Sequence, residues 1–323
     1  MTGASTGIGL EIALNLARAG YKLALTSRDT ARLESVIADQ DFAGVTTIPI
    51  ELELTSEASI DNAIATATEF LGGLDVLVNN AAAALVKPAV EVTWDDWDRV
   101  VDANLKGAYF LSCRFAQHCM DAGHGGAVIS IASTHGLLGF GGRTVYGTSK
   151  GGLIQMARML AIEWADKDIR VNTVAPATVM TESRKKSLDP EARKTMLGRI
   201  PSGRFPEPAD IAGAVRYLAS PDAGSVTGTA TALTSIDWGD GTISLFAGIH
   251  QHGVYRSDDG GALWEPKVAG LPLSTKGNRV GLAALGTTLF YTNSTSIYRS
   301  TDGGSTWAPV TGTLPVNASA GRR

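Results

Sequence analysis

Thr2-Gly3-Ala4-Ser5-Thr6-Gly7-Ile8-Gly9 opens the chain, and a helical apolar pattern over residues 9–19 follows it directly. Small residues let a backbone come close to a pyrophosphate. A helix start behind them offers free N–H groups and the favourable end of its dipole. Gly3, Ser5, Gly7, Ile8 and Gly9 are therefore candidate phosphate-cradle residues. Many glycine-rich turns bind nothing, so the reading rests on what surrounds this one.

Downstream, short β-branched or apolar runs alternate with longer amphipathic stretches. Residues 22–27, 46–52, 74–78, 127–131 and 169–174 read as strands. Residues 30–38, 56–70, 94–120, 146–165 and 208–218 read as helices. Strand and helix alternating at this spacing predict an α/β, Rossmann-type doubly wound parallel sheet covered on both faces. Upstream there is nothing: the loop should follow the first strand, and Met1 comes immediately before it. In such a sheet that strand is central and buried on both sides. Several lost Val/Ile-type side chains, at roughly 1.5–3 kcal/mol each, rival a domain's whole stability of about 5–15 kcal/mol. The expectation is either a coding start upstream of Met1 or a truncated frame.

After about Thr229 the texture changes to Gly, Ser, Thr, Asp and Trp in short alternating runs, which predicts a small all-β tail of hairpins. The tail repeats itself. Val254-Tyr255-Arg256-Ser257-Asp258-Asp259-Gly260-Gly261-Ala262-Leu263-Trp264 recurs as Ile297-Tyr298-Arg299-Ser300-Thr301-Asp302-Gly303-Gly304-Ser305-Thr306-Trp307. That offset suits one blade of a β-propeller. Two domains are predicted, 1–235 and 236–323.

The 323 residues carry a net charge of −4, which leaves no footprint for nucleic acid or an anionic membrane surface. No apolar run approaches the ~20 residues of a membrane span, and no signal peptide precedes the loop. Cys113 and Cys119 fall on one predicted helix, roughly 9 Å apart along its axis, too far to bridge. Two unpaired thiols suit a reducing cytoplasm. No metal site is assigned.

The second strand ends in Thr26-Ser27-Arg28. An acidic residue there would accept from ribose hydroxyls; a hydroxyl and a guanidinium instead suit a 2′-phosphate, so Ser27 and Arg28 point to NADP over NAD. Tyr146-Gly147-Thr148-Ser149-Lys150 places a phenol and an ammonium at i and i+4 on one helix face. A tyrosine with a pKa near 10 is a poor base at neutral pH, and a neighbouring ammonium favours its phenolate. Ser133, thirteen residues earlier at the end of a strand, can hold a substrate oxygen against Tyr146.

In order and spacing these motifs resemble the short-chain dehydrogenase/reductase family over residues 1–235. The same holds for Asn79-Asn80-Ala81-Ala82, Asn104-Leu105-Lys106-Gly107 and Val171-Asn172-Thr173-Val174-Ala175-Pro176. Gly203-Arg204-Phe205 with Glu207-Pro208 looks like its 3-oxoacyl-carrier-protein reductase and polyol dehydrogenase branch. The resemblance implies hydride transfer between a nicotinamide cofactor and a small hydroxy or oxo substrate. Tyr146 would be the general acid/base, Lys150 would bind the nicotinamide ribose and tune Tyr146, and Ser133 would orient the substrate. Asn104 would support a water relay behind Lys150. Asn80 and Ala81 would line the adenosine side, Glu53 would stand at the adenine, and Val179 and Thr181 would meet the nicotinamide. Homodimers or homotetramers through two long helices are implied as well.

Three departures stand out: Ala177 after Pro176, Glu53 where the family usually has Asp, and a blurred Ser235-Ile236-Asp237-Trp238-Gly239-Asp240-Gly241. Residues 178–199 should form a lid, whose Arg184, Lys185, Lys186, Arg193 and Lys194 read either as an anion-binding set or as a solvated face. His135, Leu137, Leu138 and Phe140 are candidate pocket residues. The repeated Ser-x-Asp-x-Gly-x-x-Trp resembles the Asp-box of sialidase-like propellers, a turn-fastening device. Two blades cannot close a propeller, so the tail reads as a fragment joined to the enzyme. The competing reading is a glycan- or protein-binding module on an inactive, truncated Rossmann domain.

Overall fold

The computed structural model describes residues 1–39, 42, 44–198, 200, 203–224, 226, 228–238, 243–249, 253–258, 265–271, 281–292 and 296–310. Helix α1 (Gly7–Arg18) leads to β1 (Leu23–Ser27), α2 (Thr30–Asp39), β2 (Thr47–Glu51), α3 (Glu57–Leu71) and β3 (Val76–Asn79). Then come α4 (Trp94–Val101), α5 (Gly107–Ala122), β4 (Gly126–Ile131), α6 (Thr144–Glu163) and β5 (Ile169–Val174). Two short helices, α7 (Glu182–Ser187) and α8 (Pro190–Leu197), precede α9 (Pro208–Ala219) and β6 (Gly228–Asp237).

The parallel strands do not form one sheet. β1 pairs with β2 in one sheet, while β3, β4, β5 and β6 run side by side in a second sheet. Thr2, in an isolated parallel bridge to Thr26, stands where the first strand would run. The gap expected ahead of the loop is thus a physical gap between β1 and β3.

Two cores flank these strands. On one face Ile12, Ala13 and Leu16 of α1 meet Ile211, Ala212 and Val215 of α9. On the other, Ala63 and Ala67 of α3 pack with Leu111 and Phe115 of α5 and with Leu153, Ala157 and Leu160 of α6. Among the described residues no helix is long and apolar enough to cross a membrane.

The predicted helix over 94–120 is not continuous. A π-helical turn, Asp102–Lys106, separates α4 from α5. It turns Asn104 inward to 1% exposure, where the amide is claimed by another part of the chain. Wide turns of this kind are common where a side chain must be re-aimed.

The hairpins continue the sheet rather than hanging off it. β6 runs through positions 235 and 236 and pairs antiparallel with β7 (Ile243–Ile249), followed by β8 (Gly253–Ser257) and β9 (Glu265–Pro266). Leu245 and Ala247 of β7 join the core beneath α1 and α9. A separate four-stranded antiparallel sheet is made by β10 (Gly281–Leu285), β11 (Thr288–Thr292), β12 (Ile297–Ser300) and β13 (Ala308–Pro309).

The turn after β12 is fastened by its own side chains. Ser300 accepts from Gly304 N–H at 2.8 Å, Asp302 accepts from Thr306 N–H at 2.9 Å, and Trp307 is buried and donates to Lys267 O. Of the first repeat copy, Asp259–Trp264 lie outside the described residues, as do Gly239, Asp240 and Gly241. Arg256 lies over Trp238 and Phe246 and donates to Gly303 O at 3.2 Å, tying the two hairpin sheets together.

Candidate active site

The glycine-rich loop is gripped from the end of β3. Thr2 Oγ1 accepts from both Asn80 N–H and Ala81 N–H at 2.9 Å, and Asn80 Nδ2 donates to Thr2 O and Gly3 O at 3.1 and 3.0 Å. Gly3 and Gly7 adopt φ of +65° and +57°, in the left-handed region that side chains avoid. A Cβ on Gly9 would sit 2.1 Å from Gly3 O, and one on Gly3 would sit 2.9 Å from Ala81 Cα. The close approach predicted for these small residues is therefore made first by the protein's own backbone.

Thr6, the residue before α1, gives no side-chain cap, and the first turn holds no acid. The free N–H groups and dipole of this helix start are left for an anion, so the loop fits a pyrophosphate. Ser5 and Ile8 are half-buried on the same loop. Thr181 caps α7, and its methyl lies 3.2 Å from a Cβ built on Gly7, which brings the base of the lid to the loop. Val179 is buried in the α1–α9 core.

At the end of β1, Ser27 is half-buried and Arg28 exposed. Asp29, next along, spends its carboxylate on Arg32 N–H at the start of α2, and Ser27 Oγ accepts from Asp29 N–H. Glu53 is held within its own turn by Thr55, whose N–H and hydroxyl both reach its carboxylate at 3.0 Å.

The catalytic candidates converge at the carboxyl ends of β4 and β5. Ser133 follows β4, and its hydroxyl lies near enough to the Tyr146 phenol to pull the pKa of that phenol down. Tyr146 and Lys150 lie one turn apart on α6, with Nζ 5.9 Å from the centre of the phenol ring. Lys150 is fully buried and donates to Ile131 O at 2.7 Å. Desolvation lowers its pKa to about 8.

Burial raises the Tyr146 pKa, opposed by Ser133 and by the Arg143 charge. Lys150 directs its ammonium to Ile131 O.

Asn104 is locked to the segment after β3. Its amide accepts from Ala83 N–H at 2.7 Å and donates to Ala83 O and Ser149 Oγ. The side chain thus joins the wide turn, the loop beside the cleft and α6.

Two participants were missed by sequence reasoning. Thr2 was quoted only as the loop's first residue, although a hydroxyl there could have marked it. His135 was named only as a candidate pocket residue, with no contact to Ser133 foreseen, yet its Nδ1 lies 3.1 Å from Ser133 Oγ and its ring stacks edgewise on Phe140 and Tyr146. Burial, with Arg143 and Arg184 nearby, lowers its pKa. In the lid, Lys185 pairs with Glu182 and Arg193 lies over Phe205; Arg199 lies outside the described residues.

The family profile described as enoyl-(acyl carrier protein) reductase matches residues 3–235. An L-rhamnose 1-dehydrogenase (NAD(P)(+)) of Sphingomonas sp. is 34% identical over 232 residues, covering 71% of this chain and 91% of that protein. A 3-oxoacyl-[acyl-carrier-protein] reductase of Thermotoga maritima is 33% identical, covering 71% and 92%. Among solved structures, a short-chain type dehydrogenase/reductase from Mycobacterium marinum superposes with a TM-score of 0.67 at 30% identity, covering 71% of this chain and 90% of that one.

Proposed function

The chain belongs to the short-chain dehydrogenase/reductase family, and from that premise we propose that it is an NADP-dependent oxidoreductase that interconverts a secondary alcohol and a ketone on a small substrate. One observation carries the reading: Ser133, Tyr146 and the buried Lys150 meet at the carboxyl ends of β4 and β5, with Gly7 of the anion-receptive loop against Thr181 at the base of the lid.

Gly3, Ser5, Gly7, Ile8 and Gly9 would hold the pyrophosphate, with Asn80 and Ala81 on the adenosine side and Val179 and Thr181 at the nicotinamide end. The cofactor, when bound, supplies or accepts the hydride. Tyr146 moves the proton at the substrate oxygen, donating in reduction and accepting in oxidation. Ser133 holds that oxygen at hydrogen-bond distance from the phenol. Lys150 keeps a positive charge at neutral pH, since its pKa of about 8 still lies above 7. That charge stabilises the phenolate left after proton donation and can reach a ribose hydroxyl. Asn104 fixes the geometry from behind by joining Ala83 to Ser149.

Exposed Arg28, beside Ser27 and with Asp29 committed to α2, supports a preference for the 2′-phosphate of NADP. The names of the relatives, a sugar dehydrogenase and an oxoacyl reductase, support a hydroxy or oxo substrate. With β7 seated along β6, a homodimer would use the outer faces of α5 and α6, where Tyr109, Phe110, Met159 and Ile162 are exposed.

The test is Tyr146→Phe across a panel of hydroxy and oxo compounds, followed at the cofactor's absorbance. Turnover is expected to fall about 10²–10⁴-fold while NADPH binding, followed by fluorescence, is kept. Turnover equal to the parent's would remove Tyr146 from the chemistry.

A further inference from the structure

Beside Ser133 and Tyr146 stand charged groups that the proposed chemistry does not use. Arg143 comes immediately ahead of α6, one turn before Tyr146, and its side chain caps nothing. The backbone holds it in place: Arg143 O accepts from Gly147 N–H at 2.8 Å, and Gly142 O accepts from Lys87 N–H at 2.9 Å. Arg184 comes from α7 in the lid. Both guanidinium charges reach His135, and that of Arg143 reaches Tyr146 as well.

Arg143 has no counter-charge. Among the described residues no carboxylate lies within ion-pair distance of it, and none acts on His135 or Tyr146. Asp96, on the rim with Lys87, is committed to the Lys87 ammonium at 2.7 Å and to Thr93 N–H. In the lid Glu182 pairs with Lys185 at 2.7 Å, and Asp189 accepts from Ala192 N–H. A cleft lined by one sign of charge draws in the opposite sign. The planar fork of an arginine fits a carboxylate with two parallel bonds.

His135 adds a donor between this charge and the reacting pair. Its Nδ1 lies 3.1 Å from Ser133 Oγ, and its ring stands edgewise to Tyr146 at 5.9 Å between centres. Burial and the two guanidinium charges lower its pKa, which keeps the ring neutral at neutral pH. With Nδ1 turned to Ser133, Nε2 is the outer nitrogen and has no partner among the described residues. When Nδ1 accepts the Ser133 hydroxyl proton, Nε2 carries the ring hydrogen and donates.

We propose that His135 and Arg143, with Arg184 of the lid, form a carboxylate subsite, and that the substrate is a small hydroxy acid or its oxo counterpart. The inference rests on the function proposed above for the reacting end of the site. The width of one imidazole separates Ser133 Oγ from Nε2, so the carboxylate stands about one or two carbons along from the carbinol carbon. That carbon gives a hydride to NADP and its O–H proton to the Tyr146 phenolate, and the hydroxy acid leaves as the oxo acid. The carboxylate itself is unchanged.

The test compares lactate and 3-hydroxybutyrate with their methyl esters and N-acetylcysteamine thioesters, which keep the reacting carbon and lose the charge. For at least one acid, kcat/KM is expected to exceed that of both neutral counterparts at least about tenfold. Arg143→Met should bring this ratio close to one, and Arg143→Glu below one. The ratio is read within one chain, so a general loss of activity does not move it. The parent comparison needs no variant, so a misfolded Arg143 chain cannot hide the result. Calorimetry with butyrate and butyramide, with NADPH present and absent, reads the subsite without turnover. Butyrate should bind at least about tenfold more tightly to the parent and no better than butyramide to the Arg143→Glu chain. Neutral counterparts turned over as well as the acids, an acid preference kept in Arg143→Glu, or butyrate bound no better than butyramide by the parent would each overturn the proposal. Preferred butyrate in a chain that does not bind NADPH keeps the subsite and removes the proposed function. Turnover of the esters and thioesters without acid preference does the reverse.

Discussion

Lys150→Met should separate what the fold prefers from what the chemistry needs. The ammonium is fully buried, and its pKa is lowered from 10.5 to about 8, entirely by desolvation. A shift of that size corresponds to about 3 kcal/mol against the charged form. Because the folded pKa lies below the unfolded one, the full penalty acts below pH 8 and is relieved as pH rises toward 10.5. Between pH 7 and pH 9.5 the parent should therefore gain about 2 kcal/mol from this group, and the methionine variant none. Losing the bond to Ile131 O, which leaves a buried carbonyl unpaired, costs about 1–3 kcal/mol at every pH. At pH 7 the two effects nearly cancel, leaving a variant about as stable as the parent but without turnover. The assay is urea unfolding followed by tryptophan fluorescence at both pH values, with turnover measured alongside. The difference between the two chains isolates Lys150 from other groups that titrate in this window. If the two unfolding midpoints move in parallel with pH, Lys150 is not a desolvated cation and the reasoning fails.

Gly9→Ala should weaken NADPH binding at least about 100-fold by fluorescence titration, because its Cβ meets Gly3 O at 2.1 Å and the loop must open. Asn104→Ala leaves Ala83 N–H, Ala83 O and Ser149 without their partner and should lower stability by about 2–3 kcal/mol in urea unfolding.

The legible parts of this molecule are those whose partners lie close in sequence. The loop from Thr2 to Gly9 needs small residues and a helix immediately behind it, and both are written in one stretch of chain. Tyr146 and Lys150 share a helix face because four residues make one turn. What escaped depends on distant partners. The apolar pattern over 94–120 runs on without interruption, and only the reach of Asn104 to Ala83 and Ser149 explains why the helix widens there. The spacing of Tyr146 and Lys150 does not reveal that the Lys150 ammonium would be buried and donate to Ile131 O, nineteen residues away. The texture change after Thr229 was visible, but not that β6 would run through positions 235 and 236 and carry β7 into the older core.

The amino end is the instructive case, because the sequence as given opens on the loop and does not say what holds it. Asn80 and Ala81 hold Thr2 from the β3 side while Thr26 holds Met1 from the β1 side. The loop is pinned at its own level by residues that a complete sheet would also use, and the void is displaced below it, between Ala24 and Val76. Packing and loop geometry are therefore separable here. The cavity weakens the sheet through lost burial, at about 20–33 cal/mol for each Å² left unburied, while the glycine-rich loop keeps its shape through side-chain hydrogen bonds. A deficit of stability can thus coexist with an intact glycine-rich loop, and measuring either one says nothing about the other until both are read in the same chain.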